Sequence, residues 1–221
     1  MFLVFGKYIG GDPLDIPSGQ VVHRFSKDNA RRITEIRVDL KHLELPVDYF
    51  EDMTNLQTMS LTGVNNLCKD MFNGLDKLEE LNLNVLDHLI PADLFTTIPN
   101  LNDLYLASDF TCRKCVMKTP IILLSKNLFT PLGCLTKLIL NFAHAEITLQ
   151  QDTLNGLVGL KTLYLAGISD IHQDVFTCTP SLEKVVLDTE LTKVQEKLQK
   201  KYPNIEISLF GPGDEFWSDT D

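Results

Sequence analysis

Apolar residues recur along this chain in one short frame: apolar, two variable places, apolar, one variable place, apolar. The frame opens at Ile33, Ile36 and Val38. It returns at Leu56, Met59, Leu61; at Leu78, Leu81, Leu83; and at Leu101, Leu104, Leu106. Three more copies follow at Leu135, Leu138, Leu140; at Leu160, Leu163, Leu165; and at Leu182, Val185, Leu187. Successive starts are 23, 22, 23, 34, 25 and 22 residues apart. The last four residues of each frame alternate, which predicts a short strand with one buried face. A single unit cannot bury its own apolar side chains, so the copies must stack and their strands form a parallel sheet. A second mark lies in the return segment of each unit: Phe50, Phe72, Phe95, Phe129 and Phe176, with Leu154 in the equivalent place. Each is followed by a further apolar residue, such as Met53, Leu75, Ile98, Leu132 or Leu157, and together they predict the opposite wall of the core. Pro46 and Pro91 open two return segments, where an extended chain needs no donor.

A period of this length headed by L-x-x-L-x-L is the signature of a leucine-rich repeat. The predicted fold is therefore an α/β repeat solenoid: a leucine-rich repeat horseshoe with a parallel concave sheet and a mostly irregular or short-helical convex side. The segments ELPVDYFEDMTNL, IPADLFTTIPNL and IHQDVFTCTPSL resemble the typical repeats of animal Toll-like receptors and related cell-surface proteins. The resemblance covers roughly residues 33–190. It implies a recognition module, extracellular or at the cell surface, that binds a protein or peptide ligand; dimerisation on ligand binding stays open. The chain departs from the family in two ways. The asparagine expected three residues after each strand is replaced by Lys41, Val64, Leu86, Asp109, Ala143, Ile168 and Glu190. Other groups must then satisfy the backbone there. The cysteine clusters that cap many members are missing at both ends.

The array divides the chain into an N-terminal cap over 1–32, about seven repeats over 33–190, and a C-terminal cap over 191–221. In the first, FLVFGKYIGGDP predicts a strand pair with a turn at Gly10–Pro13, closing the edge of the first repeat. In the last, LTKVQEKLQKKYPNIEISLFG predicts an amphipathic helix resting on Val194, Leu198 and Leu191, then a strand at Ile205–Leu209 of ambiguous register. The closing GPGDEFWSDTD is polar and acidic.

Between the inward apolar places of each strand, the outward residues form columns. The central one reads Arg37, Ser60, Asn82, Tyr105, Ile139, Tyr164, Val186. Its second half is aromatic and aliphatic over four strands, a stripe about 14 Å long at the spacing of a parallel sheet. An exposed apolar stripe marks an interaction site, and tyrosine is favoured where binding energy concentrates. Tyr105, Ile139, Tyr164 and Val186 are thus the candidate partner-binding residues. The competing reading is that the C-terminal tail or the long insert covers them. A flanking column supplies Asp103, Lys137, Thr162 and Lys184, and the first half of the face carries Glu35, Asp39 and Glu80.

The fourth interval is about 11 residues too long, placing an insert near 107–127. It holds Cys112 and Cys115 in a C-x-x-C motif and is basic, with Arg113, Lys114, Lys118 and Lys126. Arg113 and Lys114 are candidates for an auxiliary contact to an acidic partner. For the cysteines three readings stay open: a disulfide that pins the loop, with Cys134 as an alternative partner; free thiols in a reducing compartment; or zinc, for which only two of four ligands are evident. Cys68 and Cys178 fall at places that suit a small buried hydrophobe.

Charge and composition narrow the functions. The 221-residue chain carries a net charge of -10 and a pI near 4.9, without a basic patch suited to nucleic acid. The acidic balance also argues against anionic membrane surfaces. No apolar stretch is long enough to span a bilayer. The apolar run Phe2–Phe5 is shorter than a signal-peptide core, and no asparagine sits in a glycosylation acceptor. These absences support a second expectation, an intracellular leucine-rich repeat adaptor in the cytoplasm. The chain shows no G-x-S-x-G, phosphate loop, H-E-x-x-H or dinucleotide fingerprint. The five histidines are scattered. No enzyme, cofactor or metal site is expected.

Overall fold

The computed structural model describes residues 4–8, 14–15, 26–40, 45–86, 89–108, 123–142 and 147–210. In chain order the strands are β1 (Val4–Tyr8), β2 (Leu14–Asp15), β3 (Ile33–Asp39), β4 (Thr58–Val64), β5 (Glu80–Val85) and β6 (Leu89–Ile90). They continue with β7 (Asp103–Ser108), β8 (Leu123–Leu124), β9 (Lys137–Asn141), β10 (Thr148–Leu149) and β11 (Thr162–Ala166). The last are β12 (Asp170–Ile171), β13 (Lys184–Asp188) and β14 (Glu206–Phe210). A one-turn helix α1 (Lys27–Ala30) precedes β3, and α2 (Thr192–Lys201) precedes β14.

All seven predicted frames become strands of one sheet, in the order β14-β13-β11-β9-β7-β5-β4-β3-β1-β2. Strands β3 to β14 of that sheet are parallel, and β1 runs antiparallel to both β3 and β2. This is a leucine-rich repeat solenoid. Its inner wall is uniform: Leu56, Met59, Leu61, Leu83, Leu106, Leu138, Leu140, Leu163 and Leu187 have no exposed surface. The convex wall is equally closed, with Phe50, Phe72, Phe95, Phe129, Leu154 and Phe176 all buried. Phe95 and Phe129 stack with ring centroids 6.3 Å apart. Convex segments are turns and short 3-10 pieces, such as Lys69–Phe72 and Val175–Cys178.

Two kinds of contact link adjacent repeats outside the main sheet. Beyond the main sheet, β6 pairs with β8 and β10 with β12 in small parallel ladders. The Ser169 amide and hydroxyl both donate to the Ile147 carbonyl, at 2.8 and 2.9 Å. In addition, a polar inter-repeat link sits one residue before the frame. Asn55 Nδ2 donates to Arg31 O at 2.7 Å, and Asn100 Nδ2 to Asp76 O at 3.1 Å. At the same place in a later repeat Gly159 lies so close that a Cβ would be 2.7 Å from the Gly133 carbonyl oxygen. Tighter still is Gly156, at φ +94°, where a Cβ would sit 2.3 Å from Thr130 Cα.

An eighth strand extends the array. Register pairs Val185 with Ile207 and Leu187 with Leu209, so the frame continues as Asn204, Ile207, Leu209. Its leading place is asparagine rather than leucine, which is why its register was ambiguous in sequence. Tyr202 fills the convex side instead, edge-on to Phe176 at 5.4 Å. Helix α2 stops where Tyr202 precedes Pro203, a position that disfavours helical backbone. Leu198 and Leu191 are buried beneath it, and Val194 is half-buried. On the free side of β14, Ile207 N–H donates to Gln199 Oε1 at 3.1 Å. Gln199 Nε2 donates to Ile205 O and Gln195 Nε2 to Ile207 O, each at 3.0 Å. Side-chain amides thus occupy edge groups that another strand would otherwise claim.

Candidate functional site

The concave face is built by the sheet's period of two. With leucine inward at every second place, each strand presents its remaining residues outward. Register places Tyr105 opposite Ile139, Ile139 opposite Tyr164, and Tyr164 opposite Val186 on β7, β9, β11 and β13. Asn82 precedes this column on β5 and Ser208 follows it on β14. The four candidate residues therefore stand side by side.

They are not equally accessible. Tyr105 and Tyr164 are half-buried, whereas Ile139 and Val186 are 3% and 7% exposed. Ile139 does not face open solvent as the alternation alone suggested. Asn141 Nδ2 donates to the Tyr105 hydroxyl at 3.1 Å, which ties the outer end of that side chain to β9. Ala107 and Ala166, one place further along the tyrosine strands, are small and buried. The accessible surface of the stripe is thus mainly tyrosine, over an aliphatic floor.

Charge changes sign part-way along the same face, between Asp103 and Lys137. The neighbouring column runs Glu35, Thr58, Glu80, Asp103, then Lys137, Thr162, Lys184, Glu206, each in register with the next. Glu79 and Lys161 extend the two signs sideways, and both are exposed. Burial raises the Glu80 carboxyl above its ordinary range, helped by the negative charges of Asp103, Glu79 and Glu35 and opposed by Lys137. Asp103 accepts from the Thr136 hydroxyl at 3.4 Å. Local pairs already occupy the ends: Arg37 Nε lies 3.2 Å from Glu35 Oε1, and Lys184 Nζ lies 3.7 Å from Glu206 Oε1. Register joins Glu35 and Glu80 to the flanking column of Asp103, Lys137, Thr162 and Lys184, a continuity already implied by the shared repeat frame.

Other candidates fall elsewhere. Cys112, Arg113, Lys114 and Cys115 lie outside the described residues. Cys68 and Cys178 pack partly buried against the core, and burial pushes the Cys178 thiol up. Cys134 is a free, exposed thiol. On the convex side Gln150, Gln151, Asp152, Asn155, His172 and Thr177 line a shallow polar depression. There Lys126 pairs with Asp152 at 2.6 Å, Lys201 pairs with Asp174, and His172 Nδ1 accepts from the Asp174 amide at 3.2 Å. Among the described residues no cluster of His, Cys, Asp and Glu could hold a metal ion. No helix among them is long and apolar enough to cross a membrane.

Comparison with known proteins gives the fold and stops there. No protein-family profile matches the chain, and no curated protein matches it in sequence. Among solved structures, a chain of the Toll–Spatzle complex of Drosophila superposes with a TM-score of 0.53 at 19% identity. The match covers 66% of this chain and 18% of that one. The glycosylated form of that complex gives 0.54 at 20% identity, with the same coverage. An internalin from Listeria monocytogenes is a more distant match, with a TM-score of 0.41 and 16% identity over 74% of this chain and 50% of that one. Toll and internalin are both leucine-rich repeat proteins. The chain described here spans less than a fifth of the Toll chains it resembles.

Proposed function

We propose that the protein is a non-enzymatic binding module that receives a protein or peptide ligand on its concave face. Tyr105 and Tyr164 anchor the ligand, Ile139 and Val186 form the floor between them, and Arg113 and Lys114 of the insert add an electrostatic contact. The observation that carries this reading is the pair of half-buried tyrosines held in one register column on the concave sheet. Rigid aromatic rings over a closed floor supply contact area at little entropic cost. The fold's likeness to a chain solved in the Toll–Spatzle complex supports a protein partner and an extracellular or cell-surface setting. The test is partner capture from the protein's natural source. Tyr105→Ala with Tyr164→Ala should reduce capture at least about tenfold while the melting temperature holds. Capture that persists unchanged removes the site.

A second reading, an intracellular adaptor, is favoured by Cys134, a free thiol exposed on the surface. Such thiols are rare in oxidising compartments. Alkylation without reduction, followed by intact mass, separates the two. Protected Cys112 and Cys115 support the extracellular reading; five alkylated thiols support the adaptor.

A further inference from the structure

The concave face carries its charges in blocks, and this reaches beyond the choice of site to the chemistry of the ligand. The acidic block is Glu79, Glu80 and Asp103 on the β5 and β7 side; the basic block is Lys137 and Lys161 on β9 and at the start of β11. The sign changes between register partners Asp103 and Lys137. On the acidic side like sits beside like, because Glu80 and Asp103 are themselves register partners; on the basic side Lys137 is followed by Thr162, and Lys161 is bounded by Glu183 of the next repeat. Like charges directly opposite one another on a sheet are destabilising. Solubility does not require such an arrangement, since interspersed charges serve it as well. Each block also has its own aromatic ring. Tyr105 shares β7 with Asp103, and Tyr164 shares β11 with Thr162, next to Lys161. A ring beside carboxylates suits a lysine or arginine, which gains both the ion pair and the ring face.

Resting on the concave-face reading above, we propose that the ligand is an extended polypeptide segment with its charges in two blocks, basic side chains over Glu79, Glu80 and Asp103 and acidic ones over Lys137 and Lys161. The block centres lie two to three strands apart, on the order of 10–14 Å at the spacing of a parallel sheet. An extended chain covers that distance in about three to four residues. The charged column and the tyrosine column run side by side across the strands. This linear arrangement fits one extended chain.

The test uses the purified full chain and two labelled twelve-residue peptides of identical composition. One has a two-residue lysine–arginine block and a two-residue glutamate–aspartate block separated by two residues within neutral flanks, which puts the block centres four residues apart; the other alternates the same charges. The blocked peptide should bind at least about tenfold tighter at low salt, because segregated charges on the two partners match only in that order. Glu80→Lys with Asp103→Lys should lose that advantage, and so should Lys137→Glu with Lys161→Glu. The fourfold inversion should recover binding to within about threefold, because the reversed face is met by the same peptide turned end for end. Melting curves by circular dichroism confirm that each variant is folded. Equal binding of the two peptides overturns the proposal, and so does a fourfold variant no better than the double ones. Binding that appears only after removal of residues 211–221 makes that acidic segment the occupant and overturns it too. If Tyr105→Ala with Tyr164→Ala abolishes capture of the natural partner while the charge inversions leave that capture intact, the concave site stands and the charge assignment falls. If neither set of changes matters, both fall.

Discussion

Tyr105 and Leu106 are neighbours on β7 and point to opposite sides of the sheet. Along the inner side, Leu106 is one of a run of nearly identical residues: Leu61, Leu83, Leu106, Leu140, Leu165 and Leu187. Along the outer side, the equivalents of Tyr105 pass from arginine through serine and asparagine to tyrosine, isoleucine and valine. The contrast follows from what each residue touches. An inner side chain meets copies of itself in the repeats before and after, so any change of volume is felt by both neighbours. An outer side chain is constrained on one side only. The inner face states the fold, and the outer face is where this chain differs from another with the same fold.

The sharpest way to test that contrast is to truncate both residues. Leu106→Ala should cost about 2–5 kcal/mol in denaturant unfolding, because it empties a fully buried site between two repeats. Gly156→Ala should cost about 1–3 kcal/mol, since its positive φ and the 2.3 Å approach to Thr130 Cα leave the new methyl nowhere to go. Unchanged stability there would mean that adjacent convex turns can move apart. Tyr105→Ala should cost less than about 1 kcal/mol of stability, while partner binding falls severalfold. A large unfolding effect without a binding effect would make the tyrosine part of the core.

The smallest effect lies at Glu80, a largely exposed residue whose carboxyl is raised from 4.5 by partial desolvation and by the nearby acids Asp103, Glu79 and Glu35. The folded state binds this proton more readily than the unfolded chain does. The wild type therefore loses stability as pH rises from the ordinary value through the raised one. Glu80→Gln should be the more stable form at neutral pH, by no more than about 0.5 kcal/mol given solvent screening, and the difference should vanish below pH 4.5. A difference that grew on acidification would reverse the assignment.

The same asymmetry decides what could be read from the sequence. The strands, their shared register and the phenylalanine wall were legible because burial imposes a periodic residue type. The strand at Glu206–Phe210 was only half legible: Asn204 replaces the leading leucine, and Tyr202, reaching back to Phe176, supplies the missing bulk. The inter-repeat links at Asn55 and Asn100 were hidden for another reason. Their function depends on which carbonyl lies one repeat away, and local pattern does not encode that. On the concave face, alternation identified Tyr105, Ile139, Tyr164 and Val186 as a column. It could not foresee that Asn141 would hold the Tyr105 hydroxyl, or that Ile139 would be buried. Exposure on a curved sheet depends on the neighbours' rotamers as well as on direction.

The seal made by Gln195 and Gln199 has a consequence for how such a molecule can grow over evolutionary time. Their amides meet the β14 backbone at Ile205 and Ile207, where a further parallel strand would bond. A duplicated unit appended after β14 would find its docking groups already taken. A unit duplicated between existing frames would meet the same leucines on both sides and leave the seal intact. Descendants of this chain should therefore lengthen from within, keeping their last helix and strand while the number of interior repeats drifts.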